Sequence, residues 1–152
     1  MTLTAAESIK DTWTSIFRRK GRDGAYTRLF DHLDPPQRDI LLAEVELRES
    51  ELAVIASVRD STNWLVLTTD RLAWSIAGQR QEVPANAIRD AVVDLMQLQR
   101  SGHRKLDMHQ LQVITMEYGG YLIELEPGSP LIGTWNVLKN LGARNRGRKL
   151  AK

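Results

Sequence analysis

Three stretches of different hydrophobic period divide the chain. Up to about Glu51 the apolar residues recur at helical spacing; from Leu52 to Leu125 they alternate or run on continuously; after Ser129 the helical spacing returns. In the first stretch Ile9, Trp13, Ile16 and Phe17 form one apolar helix face. Thr4-Ala5-Ala6-Glu7 reads as its capping box, and Gly21 ends it after Arg18-Arg19-Lys20, whose charges suit a helix C-terminus. A short second helix is expected to carry Tyr26, Leu29, Phe30 and Leu33 on one side. Asp34-Pro35-Pro36-Gln37 then starts a third, from which Ile40, Leu41 and Val45 face inward.

The middle stretch reads as strands. Leu52–Val58 and Trp64–Thr68 flank the polar turn Arg59-Asp60-Ser61-Thr62-Asn63, and Thr69-Asp70 turns the chain into Arg71–Ile76. Gly78-Gln79 marks the next turn, before a strand that Pro84 ends. Ile88–Met96 is expected to be a strand, Gln97–Lys105 a polar loop, and Met108–Ile114 a further strand. Tyr118-Gly119-Gly120-Tyr121 predicts a hairpin whose paired glycines take positive φ, with Leu122–Glu126 returning. Ser129 and Pro130 open a last helix bearing Leu131, Trp135, Val137, Leu138 and Leu141, with Gly142 as its C-cap. The expected fold class is α+β: N-terminal helices over residues 1–50, about seven antiparallel strands over 51–142 capped by the C-terminal helix, and a disordered basic tail at 143–152.

The run Trp64-Leu65-Val66-Leu67-Thr68-Thr69-Asp70-Arg71-Leu72-Ala73-Trp74 resembles the central hairpin of bacterial PH-like and GRAM-like domains. There an apolar strand ends in Thr-Asp-Arg and a second strand with a leucine and an aromatic follows at once. Val83-Pro84 followed by Ile88, and Trp135 on the last helix, are similar to other features of that family. The resemblance covers residues 52–141. It implies a strongly curved antiparallel β-barrel closed by its helix, and a binding role with no catalytic residues. Such folds serve lipid, peptide and protein recognition alike.

Charge changes this picture. The net charge of +2 conceals an asymmetry, since the last acidic residue is Glu126 and residues 1–126 hold 15 basic against 19 acidic side chains. Beyond it stand Lys139, Arg144, Arg146, Arg148, Lys149 and Lys152, unopposed. Zero cysteines exclude a disulfide framework and thiolate chemistry. The first residues lack an apolar secretory segment, and no apolar run approaches the roughly 20 residues of a membrane span, so a cytoplasmic protein is expected.

Catalysis is not expected. His103 lies in a polar loop, His32 stands between Asp31 and Asp34, and His109 with Asp107 supplies two ligands where a metal site wants three or four. No phosphate loop, His-Glu-x-x-His or Gly-x-Ser-x-Gly pattern occurs. No cofactor, metal or small-molecule substrate is therefore anticipated. In the loop where PH domains gather cations for phosphoinositides, Arg59 stands alone and is offset by Asp60.

Two candidate surfaces remain. Glu44, Glu46, Glu49 and Glu51 form an acidic row suited to a basic protein surface, as in an immunity protein that neutralises a cognate toxin domain. Arg18, Arg19, Lys20 and Arg22, with Arg144, Arg146, Arg148 and Lys149, would serve an anionic membrane if the fold brought them together. Nucleic acid is disfavoured because the tail carries no aromatic for base stacking. The expected function is non-enzymatic recognition of a protein partner, with a peripheral membrane adaptor as the alternative.

Overall fold

The computed structural model describes residues 3–93 and 108–150. Among the described residues the fold is α+β, with three α-helices and two antiparallel sheets. Helix α1 (Ala5–Lys20) starts at the expected capping box: Thr4 Oγ1 accepts from Glu7 N at 3.1 Å, and Thr4 N donates to Glu7 Oε1 at 3.2 Å. Its apolar face delivers Trp13, Ile16 and Phe17 into the main core. The front of the chain is thus part of the same packed body as the sheets.

The expected second helix is absent. Thr27–Leu29 is instead a short strand, β1, followed by a single 3₁₀ turn at Phe30–His32. Strand pairing outcompeted local helical spacing here, because Thr27, Arg28 and Leu29 find ladder partners in Ser57, Ala56 and Ile55. Helix α2 (Pro35–Glu44) begins where Asp34 and Gln37 predict, with a reciprocal capping box and Pro35 in the first turn.

The larger sheet runs β1-β2-β3-β4-β5, with β2 (Ala53–Asp60), β3 (Asn63–Thr68), β4 (Arg71–Ile76) and β5 (Gln79–Pro84) joined by tight turns. Alternate residues serve opposite faces. Leu65, Leu67, Leu72 and Trp74 enter the main core, while Trp64, Val66 and Ala73 join a second cluster with Leu33, Leu41 and Val45. Helix α2 therefore covers the outer face of this sheet. That cover explains why β2 and β3 read as continuous apolar runs instead of alternating ones.

The smaller sheet is β6 (Ile88–Val92), β7 (Gln110–Thr115) and β8 (Gly120–Glu124). The rest of the strand expected at Ile88–Met96, and the polar loop at 97–105, lie mainly outside the described residues. The β7–β8 hairpin exists, but the positive φ falls on Tyr118 at 65°, not on the paired glycines. Thr115 shapes the turn by accepting Gly119 N at 2.9 Å. Among the described residues the two sheets are separate ladders and do not close into a continuous barrel.

Helix α3 (Ser129–Leu150) packs on β6 and on α1. Gly142 is not its C-cap. It lies in mid-helix against Arg89, where a Cβ would come 2.7 Å from the carbonyl carbon. Helix and strand cross too closely there for a side chain. Residues 143–150 are consequently helical and not a disordered tail, anchored by buried Asn145, whose amide donates to Ala85 O at 2.8 Å and Ile88 O at 2.7 Å. Trp135 is half-buried and donates from Nε1 to Ala91 O at 2.7 Å, pinning α3 to β6.

Candidate functional site

Helices α1 and α3 run antiparallel. Near one end Gly21 meets Ser129 and Gly133, with Phe17 against Gly133; near the other, Ile9 and Trp13 approach Leu141. At that second end a cleft of about 360 Å³ opens, within the range of ligand-sized recesses. Its lining combines apolar Ile9, Trp13, Ala85 and Leu141 with Arg48, Arg144, Arg148 and the polar groups Thr69, Asp70, Asn86 and Asn145.

Each wall is held by a separate device. Arg144 and Arg148 stand four residues apart on α3, hence on one helix face. Asn145 between them fixes that helix to the 3₁₀ turn at Ala85–Ala87, which supplies Asn86. Arg48 comes from the loop between α2 and β2, and Glu51 holds this loop. Glu51 Oε1 accepts from Arg48 N at 2.9 Å, while Glu51 N donates to Arg48 O at 3.1 Å. The Glu51 side chain is wholly buried and also meets Arg71, with Nε at 2.9 Å and Nη2 at 3.2 Å. Burial pushes its carboxyl up, but hydrogen bonds from Arg71, the Arg48 main chain and Thr68 outweigh it and hold the group below the ordinary glutamate range. Thr69 and Asp70 are placed by the same network, since Thr68 Oγ1 accepts from both Asp70 N and Arg71 N.

The cleft is electropositive. Three guanidiniums face one carboxylate, Asp70, and among the described residues none of Arg48, Arg144 and Arg148 has an ion-pair partner. All three are exposed. Trp13, only 2% exposed, has an indole N–H that meets no acceptor among the described residues, an arrangement proteins normally avoid.

The anticipated sites fare differently. The acidic row is broken up. Glu51 faces inward, and Glu44 is engaged by Arg80, whose Nη2 donates to the Glu44 carbonyl at 2.6 Å. Glu46 and Glu49 are exposed, but the Glu46 carbonyl accepts from Arg71 Nη2 at 2.7 Å, and Arg48 stands between the two in sequence. Of the four, Glu51 is withdrawn from the surface, Glu44 is half-buried, and Glu46 and Glu49 stay exposed.

The two basic clusters are not brought together either. Arg18, Arg19, Lys20 and Arg22 are exposed at the Gly21–Gly133 end, whereas Arg144 and Arg148 stand at the cleft. Helix α3 rises about 22 Å between Gly133 and Arg148. Arg146 turns away to bond the Arg89 carbonyl, and the Lys149 side chain lies outside the described residues. Among the described residues Arg59 forms no direct ion pair with Asp60. It sits over the Tyr26 ring at 5.7 Å, while Asp60 caps its own turn through Thr62 and Asn63.

Of the histidines, exposed His32 bonds Asp23 Oδ2 through Nδ1 at 2.6 Å, and His103 and Asp107 lie outside the described residues. No group of three His, Asp or Glu side chains is arranged to hold a metal among the described residues. Nor does any described helix have the length and apolarity to cross a membrane. Sequence reasoning missed Arg48, Trp13, Asn86 and Asn145 as a group, because they come from four distant segments. The Arg144–Arg148 spacing was the one local signal, and reading the tail as disordered hid it. No family model, curated protein or solved structure matches the chain.

Proposed function

We propose that the chain is a non-enzymatic binding module that recognises a protein partner, with the cleft between α1 and α3 as its contact surface. The observation that carries this reading is the convergence on one recess of three arginines that have no ion-pair partner among the described residues, held by α3 and by the Glu51-braced loop. Exposed cations on a firmly placed frame favour binding, since little ordering is required when the partner docks. The scaffold is of the PH-like or GRAM-like kind, a strongly curved and partly open barrel. Supporting that kinship are the five- and three-stranded sheets that share one core with a C-terminal helix.

Toxin neutralisation is the concrete version for which the acidic row argued. With Glu51 of that row buried in the Arg71 pair, the charge argument passes to the cleft and to an acidic feature on the partner. A peripheral membrane role would need both basic clusters on one surface, and they occupy opposite ends of α3. The test is affinity purification of the tagged full chain from its own host at moderate salt. A stoichiometric complex that is lost when Arg144 and Arg148 are changed to glutamate supports the reading. If no protein co-purifies in stoichiometric amount, the reading is wrong.

A further inference from the structure

We infer that the cleft accepts an acidic peptide segment that also carries an apolar side chain. The inference rests on the reading of the chain as a protein-recognition module and names the chemistry of what is recognised. Arg48 on one wall and Arg144 with Arg148 on the other offer planar forks that match carboxylates, with Asp70 the sole acidic group of the lining among the described residues. Between them Ile9, Trp13, Ala85 and Leu141 provide an apolar lining that a bare oxyanion would leave unused. Trp13 itself lies buried beneath this lining, and its indole N–H meets no acceptor among the described residues.

Other anionic partners fit less well. A bilayer is locally flat and meets protruding cations, whereas Trp13 is 2% exposed within a recess. A single nucleic-acid strand wants exposed aromatic faces, and among the described residues no exposed aromatic lines the cleft. An extended peptide supplies both features at short spacing, since its side chains alternate and neighbouring residues can present a carboxylate and a hydrocarbon to opposite walls.

The experiment titrates the full-length, nitrogen-15-labelled chain with a short acetylated peptide that alternates glutamate with leucine. The Trp13 indole N–H resonance, assigned from the Trp13→Phe variant, is the reporter. The expected result is a saturable shift of that resonance and of the amides around Arg48, Arg144 and Arg148. Affinity should fall about tenfold or more in the R144E/R148E chain, a loss of roughly 1.4 kcal/mol or more. It should fall also when serine replaces leucine in the peptide, and vanish when lysine replaces glutamate. All three arginines are exposed, so an unchanged amide spectrum elsewhere shows that the variant is folded.

An unmoved Trp13 resonance at millimolar peptide overturns the inference. So does inorganic phosphate binding as tightly as the peptide, which makes this a plain oxyanion site. Phosphatidylglycerol vesicles that capture the chain through Arg144 and Arg148 while the peptide does not would make it a membrane contact. A host partner that binds the R144E/R148E chain undiminished sinks this inference and leaves protein recognition standing. Peptide binding without any host partner does the reverse.

Discussion

Glu126 and Thr27 hold each other in both directions. Glu126 Oε1 accepts from Thr27 N at 2.9 Å, while Glu126 N donates to Thr27 Oγ1 at 3.0 Å. The same carboxylate takes Tyr26 N at 2.7 Å and Ala25 N at 2.8 Å, so three successive amides of the segment entering β1 converge on it. The end of the smaller sheet is tied in this way to the edge of the larger one by a side chain, where a closed barrel would have ladder hydrogen bonds.

This tie predicts an acid-sensitive stability. Burial would raise the Glu126 carboxyl, but the three backbone donors, Thr27 first, outweigh it and keep the group below the ordinary glutamate value. A carboxyl depressed in the folded state contributes its full stabilisation above the unfolded value, about 4.3, and loses it as pH falls through the lower folded value. Thermal unfolding followed against pH should show Tm falling from about pH 4.5 downward. In Glu126→Gln the neutral-pH Tm should be lower, with about 1–3 kcal/mol lost, and the acid limb flatter. An acid limb as steep as in the parent chain would contradict this assignment.

Glu51 and Arg71 form a bidentate pair whose acidic member is fully buried. Removing one partner of such a pair leaves a buried charge without compensation, so Arg71→Ala should destabilise by about 3–5 kcal/mol. Glu51→Gln also loosens the Arg48 loop, and urea unfolding should report a lower midpoint at unchanged slope. A midpoint within error of the parent would show that the pair is energetically idle.

Gly142→Ala should be destabilising even though alanine is the better helix former. Its propensity gain is about 1 kcal/mol, against a Cβ pressed on the Arg89 main chain, where neither backbone can yield cheaply. A net loss of about 1–3 kcal/mol is expected. Gly147 in the same helix has no atom within 4 Å of such a Cβ, so Gly147→Ala should be neutral or stabilising. Calorimetry on the two variants separates these outcomes, and equal Tm values would refute the close crossing.

Truncation after Gly142 provides a fourth test. Removal of Asn145 leaves the carbonyls of Ala85 and Ile88 without its amide, at about 1–3 kcal/mol. Asn145→Ala alone should lower Tm measurably, and the truncated chain should lose more. A truncated chain as stable as the parent would restore the picture of a dispensable tail.

The sequence was most informative where local signals carried the outcome. Both capping boxes, at Thr4–Glu7 and Asp34–Gln37, are present with both hydrogen bonds. The seven strands expected after residue 51 correspond to β2–β8. It failed where distant partners decide. Thr27–Leu29 looks helical until β2 offers a ladder, and Gly142 looks like a helix end until Arg89 is seen beneath it. Glu51 reads as one of four surface carboxylates, because nothing near it in sequence announces that Arg71 and Thr68 will enclose it. The cleft failed to appear for the same reason, as its cations belong to segments about a hundred residues apart.

The double cover of β2 and β3 has a kinetic corollary. Their amides lie between the main core and the smaller cluster under α2, so either layer can breathe while the other still shields them. Deuterium should therefore reach Ala56, Val66 and their neighbours only through whole-molecule unfolding, whereas α2 opens at a lower free energy as its own cooperative unit. The slowest-exchanging amides then mark the central hairpin, and the earliest to exchange in the front half mark the layer that packs outside it.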